Sequence, residues 1–237
     1  MRSQLFGQAL PVSSPESFTL QNSKMLRVSM NGGGVMAKQG SMVAFQGDVQ
    51  FDYQSAGGAM KAIKKAMTGE GVDLMRCTGH GDVYFADQAT DVHVIDLDGS
   101  QGVSVNGVSV LAFEPTLQWD IKMIGNAGAM GGGLFNTFFN GVGKLAITTQ
   151  GPPVVLTVDR PTFVDTDAVV AWSASLQTSI RGTGFKPMAL LGRSSGELFQ
   201  LGFSGQGWVI VQPSENPPRG GSAQGGGGGG MLGRLGG

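Results

Sequence analysis

The side chains able to do chemistry in this 237-residue sequence are few and scattered. There are two histidines, His80 and His93, and one cysteine, Cys77. A zinc site wants three or four clustered His, Cys or carboxylate ligands, and neither histidine stands in such a spacing. His80 falls inside Gly79-His80-Gly81 and reads as a turn residue. His93 precedes the alternating stretch Val94-Ile95-Asp96-Leu97 and reads as a strand side chain. Asp48, Asp52, Asp96, Asp98 and Asp120 could share a cation, but carboxylates beside turns are ordinarily solvated. Cys77, within Leu74-Met75-Arg76-Cys77, reads as a small buried hydrophobe.

Two motif matches lack the context that would give them meaning. Gly192-Arg193-Ser194-Ser195-Gly196 has the spacing of a serine nucleophile elbow, which needs a strand before it, a helix after it and a later histidine. The next residues, Glu197-Leu198-Phe199-Gln200-Leu201, are strand-like, and no histidine lies beyond His93. Gly228, Gly230 and Gly233 have dinucleotide-fingerprint spacing without the flanking strand, helix and acidic residue. Low complexity explains them. The expectation is therefore a protein with no catalytic, cofactor-binding or metal-binding residues, and not an enzyme.

Composition says what kind of body carries these residues. Glycine numbers 41, charged residues make up 14% and hydrophobic residues 41%. Low charge with that apolar share excludes a disordered chain, and many glycines between short apolar runs suggest strands joined by tight turns. A net charge of −1 with no dense Lys/Arg run argues against nucleic acid. The N-terminal residues lack a signal-peptide core, no apolar run approaches a membrane span, and a lone cysteine fits a reducing compartment. Cytoplasm is the expected location, with peripheral contact to a membrane open.

The elements repeat. Met42-Val43-Ala44-Phe45, Val110-Leu111-Ala112-Phe113 and Val169-Val170-Ala171-Trp172 share an apolar-apolar-Ala-aromatic pattern, each followed after three spacers by an apolar residue and Gln. Gly-x-Gly also recurs in order, as Gly79/Gly81, Gly141/Gly143 and Gly205/Gly207. Both elements return at intervals of about 60 residues, and a repeat decides the fold before anything else does. Copies fall at 17–87, 88–148 and 149–213. Residues 1–213 would form one body, and 214–237 a flexible glycine-rich tail. Val49, Phe51 and Tyr53 alternate with Gln50 and Asp52, as do their equivalents, which marks half-buried strands. The preceding run, Met42 to Phe45 and its equivalents, is apolar on both faces and should lie between layers. Three copies too small to be comfortable alone can share a core around an approximate three-fold axis, and an open solenoid is the alternative. The Gly-x-Gly pairs would be structural turns at φ > 0.

These residues resemble one family. The three apolar-Ala-aromatic strands, Gly69 to Val72, Gly132 to Phe135 and the Gly-x-Gly turns are similar to the altered-inheritance-of-mitochondria family over about residues 3–213. The resemblance implies three short jelly-roll-like units similar to the tryptophan RNA-binding attenuation protein, in a pseudo-three-fold body. It also implies a bacterial-type member, a class with no settled activity, since no mitochondrial presequence stands at the start. RNA binding does not travel with fold alone.

Residues 57–69, 125–133 and 181–196 occupy the same place in each copy and differ while the strands match, which is the pattern of loops on a scaffold. In the first, Met60, Ile63 and Met67 fall on one side of a two-turn helical projection and Lys61, Lys64 and Lys65 on the other. The resulting expectation is a non-enzymatic scaffold or binding module that meets a membrane surface or protein partner through these inserts. Self-association is open, and no nucleic acid is involved. The alternative is a small-molecule binder with its ligand held between copies.

Overall fold

The computed structural model describes residues 3–54, 73–124, 135–182 and 199–214. Apart from a helical turn at Leu5–Gln8 and a 3-10 turn at Gly107–Ser109, their regular structure is all strand. First come β1 (Phe18–Asn22), β2 (Met25–Lys38), β3 (Met42–Gln54) and β4 (Leu74–Phe85). Next are β5 (Asp91–Asp98), β6 (Val103–Asn106), β7 (Val110–Phe113), β8 (Gln118–Met123), β9 (Phe135–Asn140) and β10 (Val142–Thr149). The last set is β11 (Val154–Val158), β12 (Thr162–Asp165), β13 (Val169–Ser173), β14 (Gln177–Gly182), β15 (Phe199–Ser204) and β16 (Gly207–Val211). The all-β expectation holds.

The strands make three antiparallel sheets. One runs β3-β4-β2-β7-β10-β5, with β1 added on β2; the second runs β11-β16-β13-β6-β9-β8; the third is β12-β15-β14. Alternation fixes which side of each strand is wet. Val49 and Phe51, Trp119 and Ile121, and Thr178 and Ile180 are half-buried, while Gln50, Asp52, Gln118, Asp120, Gln177 and Ser179 are exposed. β6, β7 and β13 are buried at every position. They lie in the middle of their sheets and are covered on both faces, so apolar side chains suit either direction.

Residues 42–45 correct that expectation. They share the pattern of β7 and β13, yet Val43, Ala44 and Phe45 are exposed. The physical reason is pairing. β7 lies between β10 and β2, and β13 between β16 and β6, whereas among the described residues β3 pairs only with β4. The strand pairing does not show the three-fold closure. Pairing joins the 17–87 segment to the 88–148 segment through β2 and β7. It joins that segment to the third through β6 and β13. Among the described residues no strand of the third segment pairs with the first.

Three apolar clusters are arranged in this order. One is built on Leu26, Val83, Phe85 and Leu111, the next on Phe113, Phe139, Leu145 and Ala171, and the last on Trp172, Leu201, Phe203 and Val209. Edge-to-face aromatic pairs knit the second and third, Phe113 with Phe139 at 4.9 Å and Trp172 with Phe203 at 5.6 Å between centroids. In the first cluster Cys77 pairs with Val35 at the position that Phe139 takes opposite Val103. Phe45 rests instead on its own strand neighbour Phe51, at 5.2 Å.

Candidate functional site

The sequence-designated surface residues Met60, Lys61, Ile63, Lys64, Lys65 and Met67 lie outside the described residues, as do nearly all of the three inserts. The strands that bracket the inserts are described. Gln54 pairs with Leu74, Met123 with Phe135, and Gly182 with Phe199, so each insert closes the same kind of antiparallel hairpin.

The Gly-x-Gly pairs are in part not turns. Gly79 and Gly81 both lie inside β4, which runs on because it is paired on both sides, to β2 and to β3. Gly141 is the single residue between β9 and β10, and Gly205 starts the short link between β15 and β16. Gly143 lies within β10, and Gly207 is the first residue of β16. The left-handed backbone expected of them is present at Gly79, Gly81, Gly141, Gly143 and Gly205, and not at Gly207. At Gly207 closeness decides instead, because a Cβ would stand 2.8 Å from Ser173 Oγ.

The side chains with chemical potential stay apart. Among the described residues no three His, Cys, Asp or Glu side chains are grouped to hold a metal ion. Asp96 pairs with Lys144 at 2.6 Å, which raises the lysine pKa. Asp98 accepts from Ser100 N and Oγ, and both bonds lower its pKa. Cys77 is fully buried, and burial pushes its thiol up to about 12, so it is inert as a nucleophile at neutral pH.

One concave site among the described residues lies where the three segments meet. A cleft of about 230 Å³ is lined by Lys38, Asp87, Gln88 and Thr90, by Val108 and Ser109, and by Thr148, Thr149, Gln150 and Gln212. Lys38 Nζ donates to Asp87 Oδ2 at 2.6 Å and to the Val108 carbonyl at 3.3 Å, so the cleft's cation is already paired. The rim turn carries Gln88 at φ 47° and Ala89 at φ 56°. Two successive non-glycine residues in this region are strained, and Thr90 N donating to the Asp87 carbonyl at 2.9 Å closes the turn. Within the lining, Gln150 N donates to Gln212 Oε1 at 3.0 Å.

One pair in this wall has the form of a hydroxyl and its base, and the bonding rules that role out. Thr149 Oγ1 is 2.9 Å from His93 Nε2 and donates to the Gly151 carbonyl at 2.7 Å. A hydroxyl has one proton. With that proton on the carbonyl, Nε2 must carry hydrogen and act as donor, so His93 orients Thr149 rather than activating it. The cleft therefore offers hydroxyls, amides and a neutral ion pair, which suits holding a small polar molecule.

Sequence reasoning missed this cleft because its residues come from strand ends far apart in the chain. A second missed residue is Ile124, buried in the cluster around Trp172 and Phe203 although it lies just past β8.

A family model described as Mitochondrial biogenesis AIM24 matches residues 18–214. Comparison with the curated proteins found no match. Among solved structures, the crystal structure of a protein from Streptococcus pyogenes is similar with a TM-score of 0.67 and 22% identity. It covers 84% of this chain and 92% of that one. At that identity the likeness is one of fold.

Proposed function

This chain belongs to the Mitochondrial biogenesis AIM24 family, and on that footing we propose that it is a non-enzymatic scaffold, three related β units carrying binding inserts. The observation behind this reading is the shared hairpin: each insert closes one at Gln54 and Leu74, Met123 and Phe135, or Gly182 and Phe199. Variable loops on matched hairpins are a common way to place contacts on a rigid frame. In helical projection the sequence of the first insert is basic on one side and apolar on the other, which favours an anionic membrane surface or an acidic partner. Each lysine near an anionic surface would contribute about 1 kcal/mol. Co-sedimentation with anionic vesicles at low salt tests it. The parent should bind, and Lys61, Lys64 and Lys65 changed together to Gln should release it. A parent that ignores the vesicles, or a triple variant that binds equally, removes the membrane reading.

The cleft supports a second reading, a small polar ligand held between units. Strained backbone at Gln88 and Ala89 beside a concave wall of hydroxyls and amides is the kind of outlier that motivates a site. Native mass spectrometry of freshly purified protein should then find a bound small-molecule mass that Lys38→Met loses. If the parent carries no such mass, or the variant keeps it, this reading fails.

A further inference from the structure

The joints between the β units use the same strands twice and leave the same pair of strands unused once. In the first joint Ala112 and Phe113 of β7 face Ala37 and Met36 of β2. In the second, Ala171 and Trp172 of β13 face Val105 and Ser104 of β6. By sequence, residues 42–45 of β3 are the third member of the β7 and β13 set. The hairpin partners identify the other side: Val35 pairs with Cys77, Val103 with Phe139 and Thr162 with Phe203, so β12 is the third member of the β2 and β6 set.

Among the described residues neither third member has a joint partner: β12 pairs there only with β15, and β3 only with β4. The burial difference is large. Leu111, Phe113 and Val170 are 0% exposed and Trp172 is 3%, while Val43 is 52%, Phe45 47% and, on β12, Phe163 42%. Residues 42–46 also carry no charge and no proline, the usual protection of a free sheet edge.

We propose that the chain self-associates head to tail, the 42–46 edge of one copy receiving the β12 edge of the next. The internal joints set the register. Strands run antiparallel, with Ala44 opposite Val164 and Phe45 opposite Phe163, so the two exposed rings form a cross-strand pair. The occupant is a second copy because this surface is the continuation of an interface that the chain already builds twice. Such a contact is heterologous: it extends until the rotation per copy closes a ring. It does not depend on the inserts or the cleft.

Size-exclusion chromatography with light scattering reads it. The parent should show masses that are multiples of 24.5 kDa. Phe45→Asp alone and Phe163→Asp alone should each be monomeric and still folded by circular dichroism, since both rings are at the surface and touch only Phe51 and Arg181 among the ring contacts of the described residues. Mixing the two variants should restore a 1:1 dimer and stop there, because each has one working edge. A separate pair, Phe45→Cys mixed with Phe163→Cys, should form a disulfide-linked heterodimer under mild oxidation, with directly opposed strand positions within bridging distance. Cys77 is buried and would not compete. A parent that stays monomeric at high concentration overturns the proposal. So does a single aspartate variant that still self-associates, a mixture that fails to pair, or a Phe45→Cys/Phe163→Cys double variant that closes within one monomer.

Discussion

Gly47 and Gly81 face each other across β3 and β4, and a Cβ on Gly81 would run into the Gln46 carbonyl oxygen. Gly81 sits at φ +146°, a region that side-chain-bearing residues rarely enter. Gly81→Val therefore meets both a backbone cost of about 1–3 kcal/mol and an overpacking cost of about 1–3 kcal/mol. Gly143→Val and Gly207→Val should also lower the melting temperature, but less. Their nearest obstacles are side chains, Thr116 Oγ1 at 2.8 Å and Ser173 Oγ and Cβ at 2.8 and 2.9 Å, not a backbone carbonyl, although Gly143 shares the positive φ. Gly33→Ala is the control, with nothing within 4 Å of its Cβ position. Melting curves that place Gly81→Val level with the control would show that β4 can shift its register here.

His93 should make the protein acid-sensitive. Burial lowers its pKa, Asp91 partly opposes that, and Lys24 adds to it. With the folded value below the ordinary value of about 6.5, the unfolded chain takes up a proton first as the pH falls. Stability is thus full above about pH 6.5 and drops below it, by at most about 1.4 kcal/mol per pH unit for one group. Urea midpoints from pH 7.5 to 5 should fall more steeply for the parent than for His93→Gln. Parallel profiles would mean that the ring titrates alike in the folded and unfolded chain and that burial does not act on it.

The strands were readable because burial writes itself into alternation: Gln118 and Asp120 face water and Trp119 and Ile121 do not. The doubly buried strands were readable at β7 and β13 for the same reason. Residues 42–45 defeated the reading because their apolar pattern states that a partner strand is wanted, not that this chain supplies it. Gly79 and Gly81 were misplaced because glycine in a turn and glycine under a close carbonyl look alike in sequence. The cleft was invisible, since Lys38, Asp87, Thr149 and Gln212 are brought together only by tertiary packing.

Cys77 supplies a test of the first core. Its thiol is buried beside Val35 and Phe51 in the ladder, and burial raises its pKa to about 12. The folded state then keeps the proton after the unfolded chain, near its ordinary value of about 8.5, has lost it. The contribution is complete below about pH 8.5 and is lost as the pH rises toward 12, by about 1.4 kcal/mol per unit. Cys77→Ala should lower stability at neutral pH through the cavity, yet show a shallower alkaline decline than the parent. Ellman's reagent should find no thiol in the native protein at pH 8 and one in guanidinium. Rapid native labelling would place the residue at the surface.

The end of the folded body is set by Gln212. Its side chain is 4% exposed, and its oxygen accepts from Gln150 N at 3.0 Å while its nitrogen donates to the Asp167 carbonyl at 3.3 Å. Its own N–H donates to the Ala168 carbonyl at 3.0 Å. Ser214 Oγ then donates to Gln150 Oε1 at 2.8 Å. Gln212→Leu fills the space but removes these two part-buried side-chain hydrogen bonds, at about 0.5–1.5 kcal/mol each. The variant should melt clearly below the parent. Removing residues 219–237, a glycine-rich stretch with little apolar surface to offset ordering, should leave the midpoint unchanged, whereas a chain cut after Val211 should behave like Gln212→Leu or worse. If the 219–237 deletion itself lowers the midpoint, Met231 or Leu232 contributes to the core and the boundary at Ser214 is wrong.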